Sequence, residues 1–204
     1  MKKTKIIIIG FGSIGQRHCR NLVSLGYRDI SIFDSNPKVF QGKFKFKTIK
    51  KLGQKNLADF KIAFICTPTN LHLKYAFLAA RAGCHLFIEK PLSHNLRGVN
   101  ELIKLCRQKK LVNMVACNFR FNEGFKSLKQ VVLGGELGQP LAARGVIGHD
   151  LSQSRTGVDY RQTYAAARVG GGVILDSGAH AIDYLRALFG EAKKVHCFLG
   201  NISE

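Results

Sequence analysis

Acidic residues are scarce in this sequence: 13 Asp and Glu stand against 32 Lys and Arg, a formal net charge of +19 over 204 residues. The shortage is local. Residues 1–120 hold 23 basic against 5 acidic side chains, whereas residues 121–204 hold 9 against 8. The segment from Lys38 to Lys55 has seven lysines and no acid. Such a surplus can steer anionic ligands such as a dinucleotide or a sugar nucleotide, or it can be a solvated lysine-rich face. No nucleic-acid reader motif or aromatic stacking array accompanies the lysines, which argues against nucleic acid as a partner. Metal-ligand spacing is also missing. The six cysteines (Cys19, Cys66, Cys84, Cys106, Cys117, Cys197) form no C-x-x-C pair, so they read as reduced thiols of a cytoplasmic protein that binds no metal. Nor does any apolar run approach the ~20 residues that span a bilayer, so no membrane association is expected. The start, Met1-Lys2-Lys3-Thr4-Lys5 before isoleucines, mimics a secretory signal, but Gly10 and Gly12 interrupt it and no small-residue cleavage site follows. Internal repeats and low-complexity tracts are absent too. With 46% apolar and 22% charged residues, a globular chain remains.

Ile6-Ile7-Ile8-Ile9 runs directly into Gly10-Phe11-Gly12-Ser13-Ile14-Gly15, and an amphipathic stretch from Ile14 to Leu25 follows. A buried strand, a glycine turn and a helix in that order are the fingerprint of a dinucleotide site. Gly10 permits the tight turn, Gly12 lets the backbone approach a pyrophosphate, and Gly15 allows close helix–strand packing. The free N–H groups at the helix start favour an anion. A second strand, Ile30 to Phe33, ends in Asp34, about 20 residues on, where a carboxylate accepts from a ribose 2′-hydroxyl. A 2′-phosphate there would meet like charge, so Asp34 argues for NAD over NADP. Asp34 also opens the turn-forming sequence Asp34-Ser35-Asn36-Pro37, and it can serve both purposes.

Strand and helix signals then alternate. A strand is expected near Phe44 to Thr48, another at Ile62 to Cys66, a helix from Leu71 to Arg81 and a strand from His85 to Glu89. A helix capped by Ser93 or Asn95 runs to about Lys109, and a buried strand spans Leu111 to Cys117. This spacing predicts a right-handed, doubly wound parallel α/β sheet over residues 1–120, a Rossmann domain. Ligands of such sheets lie outside the carboxyl ends of the strands, where Asp34, Thr67, Glu89 and Asn118 fall. Beyond residue 120 the pattern changes to a helix at Gly124 to Leu133, a strand at Leu141 to Gly148, a helix at Asp176 to Phe189 and a strand from Lys194 to Leu199. Residues 121–204 thus read as a second, incomplete α/β domain (α+β, with a mostly antiparallel sheet), too short of strands to cover its sheet.

Lys90 follows a strand and precedes Pro91, which fixes the turn, so its ammonium points toward the ligand crevice and favours loss of a nearby proton. The alternative is a surface lysine paired with Glu89. Asp176 and His180 are spaced i, i+4, which puts both on one face of a helix, where the carboxylate can fix the tautomer of an imidazole base. Each could equally be an ordinary polar helix residue. His72 either contacts the cofactor loop or packs. Arg120 is either a donor to an anion or hydroxyl, or half of a structural ion pair. Tyr160 and Arg161 are candidates for a substrate loop.

Taken with the fingerprint, three further segments make the chain resemble the Gfo/Idh/MocA oxidoreductases, which are sugar and inositol dehydrogenases. They are Cys66-Thr67-Pro68-Thr69-Asn70-Leu71-His72, Glu89-Lys90-Pro91, and the run from Gly171 through Asp176 and His180 to Gly190. Asn118-Phe119-Arg120-Phe121 and Asp159-Tyr160-Arg161 fit members associated with surface-polysaccharide sugar synthesis. The resemblance implies NAD-linked hydride transfer at a secondary hydroxyl of a sugar, sugar nucleotide or cyclitol, with Lys90, Asp176 and His180 catalytic. It implies cofactor contacts at Gly10 to Gly15, Asp34, Thr67, Pro68, Asn70, His72, Glu89, Lys90 and Asn118. Arg120, Tyr160 and Arg161 join the catalytic three at the substrate. It also implies a full-length form past 300 residues that is a homo-oligomer. On that reading this chain is truncated within its second domain, and the alternative function is an NAD-binding fragment or regulatory module without turnover.

Overall fold

The computed structural model describes residues 3–40, 46–148, 159, 172, 174–198 and 200. They fall into two units: Met1–Cys117 with His149–Asp176, and Asn118–Gly148 with Ser177–Glu204.

The first unit is built on six parallel strands: β1 (Ile6–Ile9), β2 (Ile30–Phe33), β3 (Lys47–Thr48), β4 (Ile62–Ile65), β5 (His85–Ile88) and β6 (Asn113–Val115). Their order across the sheet is β3-β2-β1-β4-β5-β6, the doubly wound arrangement expected of a Rossmann fold. Between them lie helices α1 (Ser13–Ser24), α2 (Gln54–Leu57), α3 (His72–Ala82) and α4 (Val99–Gln108). The four isoleucines of β1 are all 0% exposed, because both faces of a central parallel strand are covered. Ile7 and Ile9 enter one core, with Tyr75, Ala76 and Leu102, and Ile6 and Ile8 enter the other, with Phe11, Cys19 and Leu22. β1 pairs β2 on one side and β4 on the other, so the strand order reverses at β1/β4, where such sheets open a crevice beyond their carboxyl ends.

Several boundaries differ from the sequence expectation. The Leu71–Arg81 helix begins as a tight 3₁₀ turn, Thr69–Leu71, before α3. Ser93 and Asn95 do not cap α4. The Ser93 Oγ accepts from Asn95 N and the Asn95 Oδ1 from Arg97 N, closing side-chain turns of the kind that compete with helix, and α4 starts after Gly98. β6 is shorter than Leu111–Cys117 and largely exposed, as befits an edge strand.

The second unit contains α5 (Glu123–Leu133) and α6 (Ala179–Phe189), with a 3₁₀ turn at Asn118–Phe121. The Asn122 side chain caps α5 by accepting from Gly124 N. Phe125 stacks on Tyr184 with ring centroids 4.6 Å apart, and Arg120 forks onto Asp183 at 2.8 and 2.6 Å. The expected strand Leu141–Gly148 is irregular and exposed, and so are residues 194–198 of the second expected strand. Neither has a neighbouring strand among the described residues, and apolar side chains alone do not make a strand without a ladder partner. Asp176 lies in a π-helical turn, Ile174–Gly178, and α6 begins at Ala179. One uninterrupted α-helix from Asp176 is therefore not what forms. Among the described residues, no helix is long and apolar enough to cross a membrane.

Candidate functional site

A crevice of about 660 Å³ opens at the β1/β4 reversal. Its floor is the glycine turn. Gly10 has φ +93°, and a Cβ there would sit 2.6 Å from the main-chain carbon and oxygen of Cys66, so only glycine fits between β1 and β4. At Gly15 a Cβ would lie 2.1 Å from the Gly10 oxygen, which is the close helix–strand approach the fingerprint requires. Gly12 is different: a Cβ there meets nothing within 4 Å. The protein itself gives no reason for a missing side chain at Gly12, and the bare backbone faces the crevice at the start of α1. That fits a pyrophosphate held by helix N–H groups.

Asp34, at the end of β2, accepts from Phe11 N at 2.6 Å and from Asn36 N at 2.8 Å. The carboxylate thus braces the glycine turn and closes its own turn while lining the crevice, and each oxygen keeps a lone pair for an incoming hydroxyl. Opposite, the Thr67 hydroxyl is buried with no hydrogen-bond partner among the described residues. Buried polar atoms are rarely left so, and in a crevice wall this one fits a ligand group.

Most sequence-selected residues come together here. Gly10, Gly12, Ser13, Ile14 and Asp34 line one side, and Thr67, Pro68, His72, Glu89 and Lys90 the other. Phe11 is buried against Phe40 and contributes its N–H rather than its ring. Gly15 lies beneath the turn and Asn70 is exposed in the Thr69–Leu71 turn. Asn118 opens the 3₁₀ turn of the second unit. Tyr160 and Arg161 lie outside the described residues.

Lys90 is not paired with its neighbour Glu89. Its Nζ donates to the Asp176 Oδ1 at 2.6 Å and to the Asp176 main-chain oxygen at 2.7 Å. Glu89 instead receives His18, whose Nε2 lies 2.6 Å from Oε1, and the His18 ring packs on Phe64 and Phe87. The sequence reading missed His18, although its place three residues after Gly15 puts it on the face of α1 that turns toward the sheet. Tyr75 was missed as well. It follows His72 by one helical turn, lines the crevice, and has its hydroxyl pKa raised by burial and by the Asp34 charge. Arg17 was a third omission, an exposed cation on the crevice rim.

His72 is 1% exposed. Its Nδ1 lies 2.8 Å from the Pro91 oxygen and its Nε2 2.8 Å from the Thr67 oxygen. Burial holds its pKa below the ordinary imidazole range, while the carbonyls and the Glu89 charge pull the other way. Cys66 in the same wall is a bystander, because burial pushes its thiol up and suppresses the thiolate. In the second unit His180 lies in the first turn of α6, its ring 4.2 Å from that of Phe119.

Residues 4–117 match the Gfo/Idh/MocA oxidoreductase family, NAD-binding Rossmann fold, and residues 125–204 match its C-terminal domain. The chain is 29% identical over 193 residues to the myo-inositol 2-dehydrogenase of Thermotoga maritima, covering 92% of this chain and 55% of that one. It is 31% identical over 142 residues to the levoglucosan dehydrogenase of Pseudarthrobacter phenanthrenivorans, covering 69% and 36%. The fold is shared with the Lactobacillus casei scyllo-inositol dehydrogenase, a crystal structure holding NAD(H) and scyllo-inositol. There the TM-score is 0.73 at 22% identity, over 93% of this chain and 57% of that one. The chain therefore spans about half the length of the curated relatives it matches.

Proposed function

The chain belongs to the Gfo/Idh/MocA oxidoreductase family, and from that premise we propose that it serves NAD-dependent oxidation of a secondary hydroxyl on a sugar or cyclitol, or the reverse reduction. The observation that carries the proposal is Lys90, a lysine of the nucleotide crevice whose ammonium is held in place by Asp176. Inositol and levoglucosan, named for its relatives, are the compounds to try first. The motifs at Asn118–Phe121 and Asp159–Arg161 extend the proposal to sugars destined for surface polysaccharide. The reading extends to a cytoplasmic location and a homo-oligomeric state.

The residues present fit the cofactor. Gly12 and the N–H groups opening α1 would hold the pyrophosphate, Asp34 the adenosine ribose, and the Thr67-Pro68 loop the nicotinamide half. Bound NAD supplies the hydride acceptor. Lys90 places a positive charge where the alkoxide develops, and such charges stabilise the transition state most when fixed beforehand. Asp176 does that fixing, through its carboxylate and its main-chain oxygen. His180 takes the hydroxyl proton in this scheme, a role drawn from the family pattern.

The test is a titration with NADH followed by assays on a panel of inositols and sugars, repeated with Lys90→Ala and His180→Ala. Each substitution is expected to lower turnover by about 100-fold or more while NADH still binds. Unimpaired turnover in both variants would refute the assignment. Binding without turnover in the unmodified chain favours the second reading, a nucleotide-binding module. The exposed apolar side chains of the second unit, Leu141 at 94% and Phe198 at 100%, give that reading its support.

A further inference from the structure

Glu89, Lys90 and Pro91 are consecutive, and each is held by a group from a distant part of the chain. His18 holds the Glu89 carboxylate, Asp176 the Lys90 ammonium, and His72 the Pro91 carbonyl. His72 is the most buried of the three holders, and among the described residues it alone of the three bridges two loops. Thr67 follows β4 and Pro91 follows β5, and these strands are parallel neighbours in register from Ile62↔His85 to Ile65↔Ile88. The ladder ends where Glu89 N donates to Ile65 O at 2.9 Å. Beyond that rung the two chains leave the sheet, and the His72 imidazole spans them, with a ring nitrogen 2.8 Å from a carbonyl oxygen on each side. The neutral ring has one N–H, so one of these ties is a hydrogen bond and the other is packing. A rigid ring between two main-chain oxygens sets their separation in a way that no flexible side chain can.

We propose that His72 is a positioning residue: by tying the loop after β4 to the loop after β5, it fixes where Lys90 sits in the crevice. The ring itself is 1% exposed. It acts through the Pro91 carbonyl, one residue from Lys90, and through the Thr67 carbonyl, which belongs to the residue carrying the unpartnered hydroxyl. The effect on turnover rests on the role proposed above for Lys90, whereas the effect on the placement of Lys90 does not.

Three variants separate the two ties. His72→Leu removes both. His72→Asn puts an amide nitrogen near the Nδ1 position and keeps the tie to Pro91. His72→Gln puts one near Nε2 and keeps the tie to Thr67. Trace acetylation read by mass spectrometry reports the placement of Lys90 against exposed Lys104, whether or not the chain turns over. In the leucine variant Lys90 should label several-fold faster relative to Lys104, since a loosened turn exposes the ammonium. Asparagine should restore the protection and glutamine should not. Where turnover is measurable, kcat should fall by about 100-fold in the leucine variant, the scale of a displacement near 1 Å, with KM for NAD little moved, and asparagine should recover most of it. If the leucine variant does not fold, the contrast between asparagine and glutamine carries the test. An unchanged Lys90 rate in folded His72→Leu, or equal labelling in the asparagine and glutamine variants, overturns the proposal. Absence of turnover in the unmodified chain instead overturns the dehydrogenase reading and leaves the labelling to decide the role of His72.

Discussion

The isoleucines of β1 and the apolar residues of 141–148 have similar sequence character and opposite fates. Ile6 to Ile9 have a strand on each side and are 0% exposed, whereas Leu141 is 94% exposed and Val146 81%. Burial therefore follows pairing more than hydrophobicity. In the first unit the ladder forms, both faces are covered and the carboxyl ends are held where a ligand can reach them. In the second, among the described residues, two helices share a small aromatic contact around Phe125 and Tyr184, and most large apolar side chains stay at the surface. Stability and nucleotide binding should therefore reside in the first unit.

The largest expected effect probes that assignment directly. Ile8→Ala removes a fully buried side chain from the central strand and should cost about 2–5 kcal/mol. Phe198→Ala, at a fully exposed site in the second unit, should change stability by no more than about 0.5 kcal/mol. Urea unfolding followed by circular dichroism measures both. Equal losses would mean that the second unit shares the cooperative core, and the contrast between the units would collapse.

The same contrast explains how much was legible beforehand. Continuous apolar runs with a glycine or proline close by marked β1, β4 and β5, because a doubly covered parallel strand leaves that trace in sequence. The glycine fingerprint and Asp34 were legible because a close approach or a positive φ admits few residue types. What failed depended on partners. Leu141–Gly148 carries strand-like residues but has no ladder among the described residues, and the Asp176–Phe189 segment carries an α-helical pattern but begins with a π-helical turn. The role of His18 was invisible because Glu89 lies 71 residues away, and no local spacing records such a contact. Asp176 was selected for a neighbour four residues on, yet its carboxylate meets Lys90 from 86 residues away.

A middle-sized effect sharpens the placement of nucleotide binding in the first unit. Asp34→Ala removes the acceptor for Phe11 N and the partner expected for the ribose hydroxyl. One charged hydrogen bond is worth about 1.5 kcal/mol or more, so the NADH dissociation constant should rise roughly tenfold. NADPH should gain relative to NADH, because the like charge facing a 2′-phosphate is gone. Fluorescence titration with both nucleotides measures this. Unchanged NADH affinity together with continued exclusion of NADPH would move the ribose site elsewhere.

The smallest effect concerns acid. A buried polar group that titrates belongs to the first unit's core, and His72 is such a group. Burial lowers its folded-state pKa from the ordinary 6.5, so on acidification the unfolded chain takes up the proton before the folded one. The stability tied to this ring is complete above about pH 6.5 and declines below it, by at most about 1.4 kcal/mol per pH unit until the folded-state value is reached. His72→Asn has no such proton to bind. Its urea midpoint, compared at about pH 7.5 and about pH 5.5, should fall less on acidification than that of the unmodified chain. A steeper fall in the variant would mean that the two carbonyls and Glu89 outweigh burial and hold the ring as an imidazolium, reversing the sign.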